Sequence, residues 1–173
     1  VNDLPKQEDL AALRMLEEID RDPSTSQRKL SRSLGLSLGL TNLMIRRMAR
    51  KAWIKVTTIP GHRVVYALTP RGVAEKVRKT RDFVRLSLRY TFDMRRLVSD
   101  RIRETGRARP RVASWGAPEL AIVVKDAAAE VSGTYLGEAD ASRRADVIVL
   151  LAPAPPGLKE AWEKGGSAVV DLT

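Results

Sequence analysis

Cysteine is absent from this 173-residue chain, and histidine occurs once, as His62. Without thiols there is no disulfide and no thiolate metal site, and one imidazole does not make a histidine cluster. No metal and no other cofactor is therefore expected. No apolar run approaches the roughly 20 residues that a membrane-crossing helix needs. The first residues, VNDLPKQEDL, lack the basic patch and apolar block of a secretory signal. A cytoplasmic protein without a membrane partner is the expectation. Aromatic residues are only 5% of the chain, too few for an RNA-stacking platform. No nucleophile stands beside a base, which argues against an enzyme.

What is present is charge, unevenly placed. Hydrophobic residues are 43% and charged residues 30%, the balance of a globular chain rather than a disordered one. The length suits one ordinary domain or two small ones. Residues 1–109 hold 25 Lys+Arg against 12 Asp+Glu, whereas residues 110–173 hold 6 against 9. That asymmetry points to a polyanion-binding module joined to something else, the alternative being a basic surface kept for solubility.

Periodicity gives the module its shape. In EDLAALRMLEEID (8–20), Leu10, Leu13, Met15, Leu16 and Ile19 fall near helical spacing, and Asp22-Pro23 ends that helix. Ser26 caps a second helix carrying Leu30 and Leu34, and Gly35 stops it. Ser37 caps a third, from Leu38 to about Lys51, with Thr41, Ile45 and Met48 on its buried side. Two helices joined by Gly-Leu-Ser make a helix-turn-helix. Strand-like runs at 54–58 and 63–68 flank the turn signal Ile59-Pro60-Gly61-His62, and a hairpin in this place is a wing. Thr69-Pro70 opens a helix reaching about Thr105, with a break near Thr80 or Thr91 allowed for. Its length favours pairing with the same helix of a second chain, the alternative being packing on the chain's own C-terminal part. The divisions expected are 1–69, a winged helix-turn-helix domain; 70–109, a dimerisation helix and linker ending in GRARP; and 110–173, a small α/β domain. In the last, strands at 111–116, 131–139, 145–153 and 167–173 alternate with helices at 117–130 and 156–166. The almost wholly apolar ADVIVLLAP reads as a buried parallel strand.

The run from Ser26 to Ile54 holds leucines and arginines but no acid. In a helix-turn-helix the second helix enters the major groove. Its outward residues here are Leu38, Gly39, Asn42, Leu43 and Arg46, next to the cap Ser37. Asn42 suits an adenine edge and Arg46 a guanine, while Leu38 or Leu43 either meets thymine methyls or packs on a neighbour. Ser26, Gln27 and Arg28 at the start of the second helix suit a phosphate, as do Arg47, Arg50, Lys51 and Lys55 and, at the wing tip, His62 and Arg63.

LSRSLGLSLGLTNLMIRRMARKAWIKV followed by YALTPRG resembles winged helix-turn-helix regulators of the MarR type, above all those associated with bacterial exopolysaccharide gene clusters. Gly35, Ser37, Gly39 and Asn42 match their Gly-x-Ser-x-Gly-x-x-Asn pattern, and Leu68 to Gly72 match their Leu-Thr-Pro-x-Gly. Leu40 stands where a lysine is common, Leu43 where an aromatic is common and Ala52 where glycine is usual. The resemblance covers about residues 8–105 and implies a homodimeric transcriptional regulator binding double-stranded DNA.

For residues 110–173 the strand–Trp115-Gly116-Ala117-Pro118-Glu119–helix order has the form of a ligand loop in half of a nucleotide-binding fold. It is similar to the N-terminal segment of sugar-nucleotide-modifying acyltransferases and to related Rossmann-like domains, without their full glycine fingerprint. Two readings stand: a structural or dimer platform, or a sensor of a small-molecule effector such as a nucleotide or nucleotide sugar. For the sensor the candidate residues are Trp115, Gly116, Ala117, Pro153 and Asp171. An enzyme fused to the DNA-binding part is the alternative function.

Overall fold

The computed structural model describes residues 7–60, 63–140 and 144–173. His62 and the centre of the wing turn lie outside the described residues, and Arg63 is placed only as the first backbone position of a strand. The chain divides into two compact units, Val1–Ser87 and Leu88–Thr173.

The first unit contains α1 (Gln7–Arg21), α2 (Gln27–Leu34), α3 (Leu38–Arg50), β1 (Ile54–Ile59) and β2 (Arg63–Leu68). Ser26 and Ser37 cap α2 and α3, each accepting an amide of the first turn at 3.2 Å. Gly35, at φ 64°, ends α2 with its amide on Arg32, and the Leu36 amide reaches Ser31 at 2.9 Å. That paired arrangement needs a left-handed residue, which is why glycine stands there. One face of each helix fills a common core: Met15, Leu16 and Ile19 of α1, Leu30 of α2, Met44, Ile45 and Met48 of α3, with Ile54 and Tyr66 from the hairpin. Met44 joins the Thr41, Ile45 and Met48 expected from spacing. Strands β1 and β2 pair antiparallel from Ile54–Leu68 to Ile59–Arg63.

Ala52, just after α3, has φ 53°, a conformation a Cβ makes costly by about 1–2 kcal/mol. Ala52→Gly is expected to raise the stability of the first unit by roughly 0.5–1 kcal/mol once glycine's extra chain entropy is offset. Denaturant titration checks it, and an unchanged or lowered midpoint contradicts the strain.

Helix α4 (Pro70–Glu104) runs unbroken through Thr80 and Thr91. The Thr80 hydroxyl bonds back to the Lys76 carbonyl at 2.9 Å, so this threonine is accommodated within the helix. The helix gives its first half to one unit and its second half to the other.

The second unit adds β3 (Arg111–Trp115), a short 3-10 turn at Pro118–Leu120, α5 (Ala121–Glu130), β4 (Thr134–Glu138), β5 (Val147–Leu150), α6 (Leu158–Lys164) and β6 (Ala168–Asp171). The four strands form one sheet in the order β4-β3-β5-β6, and every pairing is parallel. Both faces are covered, so β5 reads as continuous apolar sequence and is buried along its whole length. Val112, Val147, Val149 and Val170 face Val98 and Ile102 of α4 and Val124, Ala127 and Ala128 of α5. On the other face Ala113, Ile148 and Leu150 meet Trp162 of α6. The unit therefore begins before the expected boundary at 110, because the last turns of α4 are core. The last turns of this helix thus pack on the chain's own C-terminal part, the alternative that its length leaves open.

Candidate nucleic-acid interface

With Thr41, Met44, Ile45 and Met48 turned inward, α3 presents Leu38, Gly39, Leu40, Leu43, Arg46, Arg47 and Arg50 to solvent, with Asn42 half-buried among them. Helical geometry places Asn42, Leu43, Arg46 and Arg50 on the side opposite the core. Among the described residues, Arg28, Arg46, Arg50 and Lys55 have no ion-pair partner, which leaves their charge for an outside anion. Arg28 lies at the start of α2, where helix amides also favour an anion. Ser26 and Ser37 spend an oxygen lone pair on their caps, so each hydroxyl hydrogen can still be donated outward. Gln27 is half-buried beside them.

Arg47, Lys29 and Lys51, by contrast, are engaged. Glu8 of α1 holds the Arg47 guanidinium in an exposed ion pair. Asp22 holds Lys29 at 2.8 Å, which lowers the Asp22 pKa and raises that of Lys29. Lys51 lies 4.5 Å above the Trp53 ring. For Arg47 to reach a phosphate it must leave Glu8, so Glu8→Gln is expected to raise affinity for any duplex by about two- to fivefold, the scale of an exposed pair. A filter-binding titration on random duplex checks this, and unchanged affinity contradicts the competition.

Leu68–Gly72, legible in the sequence as a helix start and as the Leu-Thr-Pro-x-Gly pattern, also locks α4 to the end of α3, which the sequence does not disclose. The Thr69 hydroxyl donates to the Ala52 carbonyl at 2.5 Å and accepts the Gly72 amide at 3.0 Å, and the Thr69 amide donates to the Trp53 carbonyl at 3.0 Å. A Cβ at Gly72 would lie 1.8 Å from that carbonyl oxygen. Lys79 is buried, 5.7 Å from the Trp53 ring and 2.5 Å from the Asp9 carboxylate. The signal in the sequence was the pairing of Trp53 with a glycine two residues past Pro70, unreadable without the distance between them.

In the second unit, Trp115, Gly116 and Ala117 lie at the C-terminal end of β3 beside the turn after β5 that contains Ala152 and Pro153. Gly116 (φ 72°) and Ala117 (φ 44°) are both left-handed, and a Cβ on Gly116 would come within 2.5 Å of the Ala152 Cβ. Trp115 packs edge-on to Trp162 at 5.7 Å. Asp171 ends β6 opposite Leu150, and its carboxyl is held down to about 2 by Lys159 at 3.0 Å and by Thr173. The strands thus bring all five candidates to one end of the sheet, but Asp171 is occupied and Gly116 is seated on Ala152. Among the described residues no group of three His, Asp or Glu could hold a metal, and no helix is long and apolar enough to cross a membrane.

Three helices, a capped Gly-Leu-Ser turn and an antiparallel hairpin make the first unit a winged helix-turn-helix. Residues 8–55 match the family model of the winged helix-turn-helix DNA-binding domain. No curated protein matches the chain. The solved structures to which the chain is similar include two transcription regulators. One is MepR, a transcription regulator of the Staphylococcus aureus multidrug efflux pump MepA, at 13% identity over 52% of this chain and 65% of that one, with a TM-score of 0.43. The other is the PcaV transcriptional regulator from Streptomyces coelicolor in complex with its natural ligand, at 20% identity over 61% of this chain and 76% of that one, also with a TM-score of 0.43. The chain thus spans just under two thirds of the length of MepR.

Proposed function

We propose that this chain is a sequence-specific, DNA-binding transcription regulator of the MarR type, a binder rather than an enzyme. Helix α3 lies in the major groove, Asn42 and Arg46 reach base edges, and Arg28, Arg50 and Lys55 take phosphates. The wing, residues 59–63, contacts the flank. The observation that carries this is the acid-free outer side of α3, uncovered within its unit, with Arg46 and Arg50 unpaired among the described residues. The test is binding to duplex DNA at about 50 mM salt, where phosphate contacts are strong. Tight binding that weakens steeply as salt rises is expected; no binding to any duplex sinks the reading.

The working form is a homodimer built on α4. Val73, Val77, Val84 and Leu88 are all exposed and fall within about 60° of arc at 3.6 residues per turn. A contiguous apolar stripe of this kind marks an interface, and a self-complementary helix pair suits a two-fold regulator on paired half-sites. The paired substitution Val77→Glu with Val84→Glu is expected to yield a monomer in sedimentation equilibrium. A wild-type chain that sediments as a monomer contradicts the dimer.

A second reading concerns the second unit as a Rossmann-like half-fold. Its all-parallel sheet has β3 flanked by β4 and β5, the strand geometry at which such folds take a ligand. A nucleotide or nucleotide sugar as effector would meet Trp115, Gly116, Ala117 and Pro153. Thermal stabilisation by a nucleotide panel supports it, and no shift with any member opposes it.

A further inference from the structure

We infer that the recognition helix is built to read C5-methyl groups on the major-groove floor, with Leu40 and Leu43 as the specificity-determining pair. This rests on the DNA-binding reading above and names what that site selects. Leu38, Leu40 and Leu43 are 46%, 43% and 43% exposed, although four other positions of the same helix already fill the core. Single exposed leucines need no explanation. Leu40 and Leu43 are different, because three residues apart on a helix they are neighbours on one surface patch.

Charge commits the occupant of that patch. The patch lies on a 13-residue helix that carries Arg46, Arg47 and Arg50 and no acid. A polyanion suits the arginines, and its contact with the leucines must be apolar. The apolar group that a base pair offers in the major groove is the C5-methyl of thymine, or of 5-methylcytosine. The spacing fits as well. Three residues advance a helix by about 4.5 Å, close to the roughly 3.4 Å between successive bases of one strand. Two leucines on one edge can therefore meet methyls on neighbouring steps. Gly39, with nothing within 4 Å of a Cβ built on it, adds no side chain between Leu40 and Leu43 and the groove. Asn42 and Arg46 lie on the other edge, where they read polar groups.

The experiment is selection by the full chain from a random duplex pool, followed by titration of the recovered site made with deoxythymidine or deoxyuridine. Removing one contacted methyl should weaken binding about fourfold, the equivalent of one buried CH₂, and removing two about fifteenfold. Leu40→Ala and Leu43→Ala should bring the thymidine-to-uridine ratio towards one. Both residues are exposed, so the core is untouched. A parallel selection with 5-methyldeoxycytidine in place of deoxycytidine separates the sources. Recovery of methylcytosine at the thymine positions assigns the contact to the methyl alone, and continued recovery of thymine together with weaker binding to the uridine site assigns it to the thymine methyl read along with the rest of that base. Equal affinity for thymidine and uridine sites overturns the inference while leaving DNA binding intact. A ratio that both alanine variants preserve also overturns it, by placing the methyl contact elsewhere. Recovery of no duplex removes the DNA-binding reading and this inference together.

Discussion

Gly72→Val is expected to unfold the winged unit near physiological temperature and to abolish DNA binding with it. The glycine lies where the first turn of α4 passes the Trp53 carbonyl, 1.8 Å from the position a Cβ would take. Backbone, not a flexible side-chain end, would have to move. The move would break the Thr69 bonds to Ala52 and Trp53 and the burial of Lys79 against the Trp53 ring. Overpacking against rigid backbone, together with lost hydrogen bonds, costs about 3 kcal/mol or more. For a unit of this size that is a fall of on the order of 10–20 °C in its melting temperature. Hydrogen exchange at the Leu30 and Tyr66 amides follows this unit alone, free of the second. Gly39→Ala is the control, since nothing lies within 4 Å of its Cβ position. It should leave the unit as stable or firmer by up to about 1 kcal/mol, as alanine favours helix. Equal stability of Gly72→Val and wild type would remove the lock from the account.

The second large effect is on recognition. Asn42→Ala and Arg46→Ala should each cost about 1–3 kcal/mol on the selected site, a loss of roughly 5- to 150-fold, and much less on random duplex. Arg50→Ala should weaken both kinds of duplex alike and flatten the salt dependence by about one unit. Arg47→Ala behaves differently from what its sequence position suggests. Its guanidinium is already held by Glu8, so part of what it gains from a phosphate is lost in leaving the carboxylate. The expected loss is accordingly smaller than for Arg50. Titrations of each variant on both duplexes decide the assignments, and equal losses for Asn42→Ala on both would make it a backbone contact.

Much of the first unit is legible because its cues are local. Ser26, Gly35 and Ser37 act through bonds to residues at most five positions away, and the 3.6-residue spacing of Thr41, Ile45 and Met48 marks one helix face. The parallel strand at 147–150 is legible for the same reason, since burial on both faces leaves no polar alternation. What escapes the sequence is distance across the chain. Glu8 and Arg47 are 39 residues apart, and Asp9 and Lys79 are 70 apart, so neither pair leaves a periodic trace. The lower half of α4 escapes for a further reason. Val98 and Ile102 fit a stripe that a second chain could cover as well as this sheet does, and periodicity does not name the partner. In the sequence Leu40 is only a residue out of pattern; its exposure beside Leu43 is what the inference about methyl contacts draws on.

The account turns on whether the outer side of α3 enters the groove of a duplex, and the absence of cysteine allows a direct measurement. Leu43→Cys introduces the chain's single thiol at the centre of that side, to which a DNA-cleaving iron chelate can be tethered. Bound to its selected site, the labelled protein should cut both strands at base pairs inside the site, within reach of the tether. Cutting spread evenly along the fragment, or none while the complex remains formed, would place α3 away from the DNA and contradict the account.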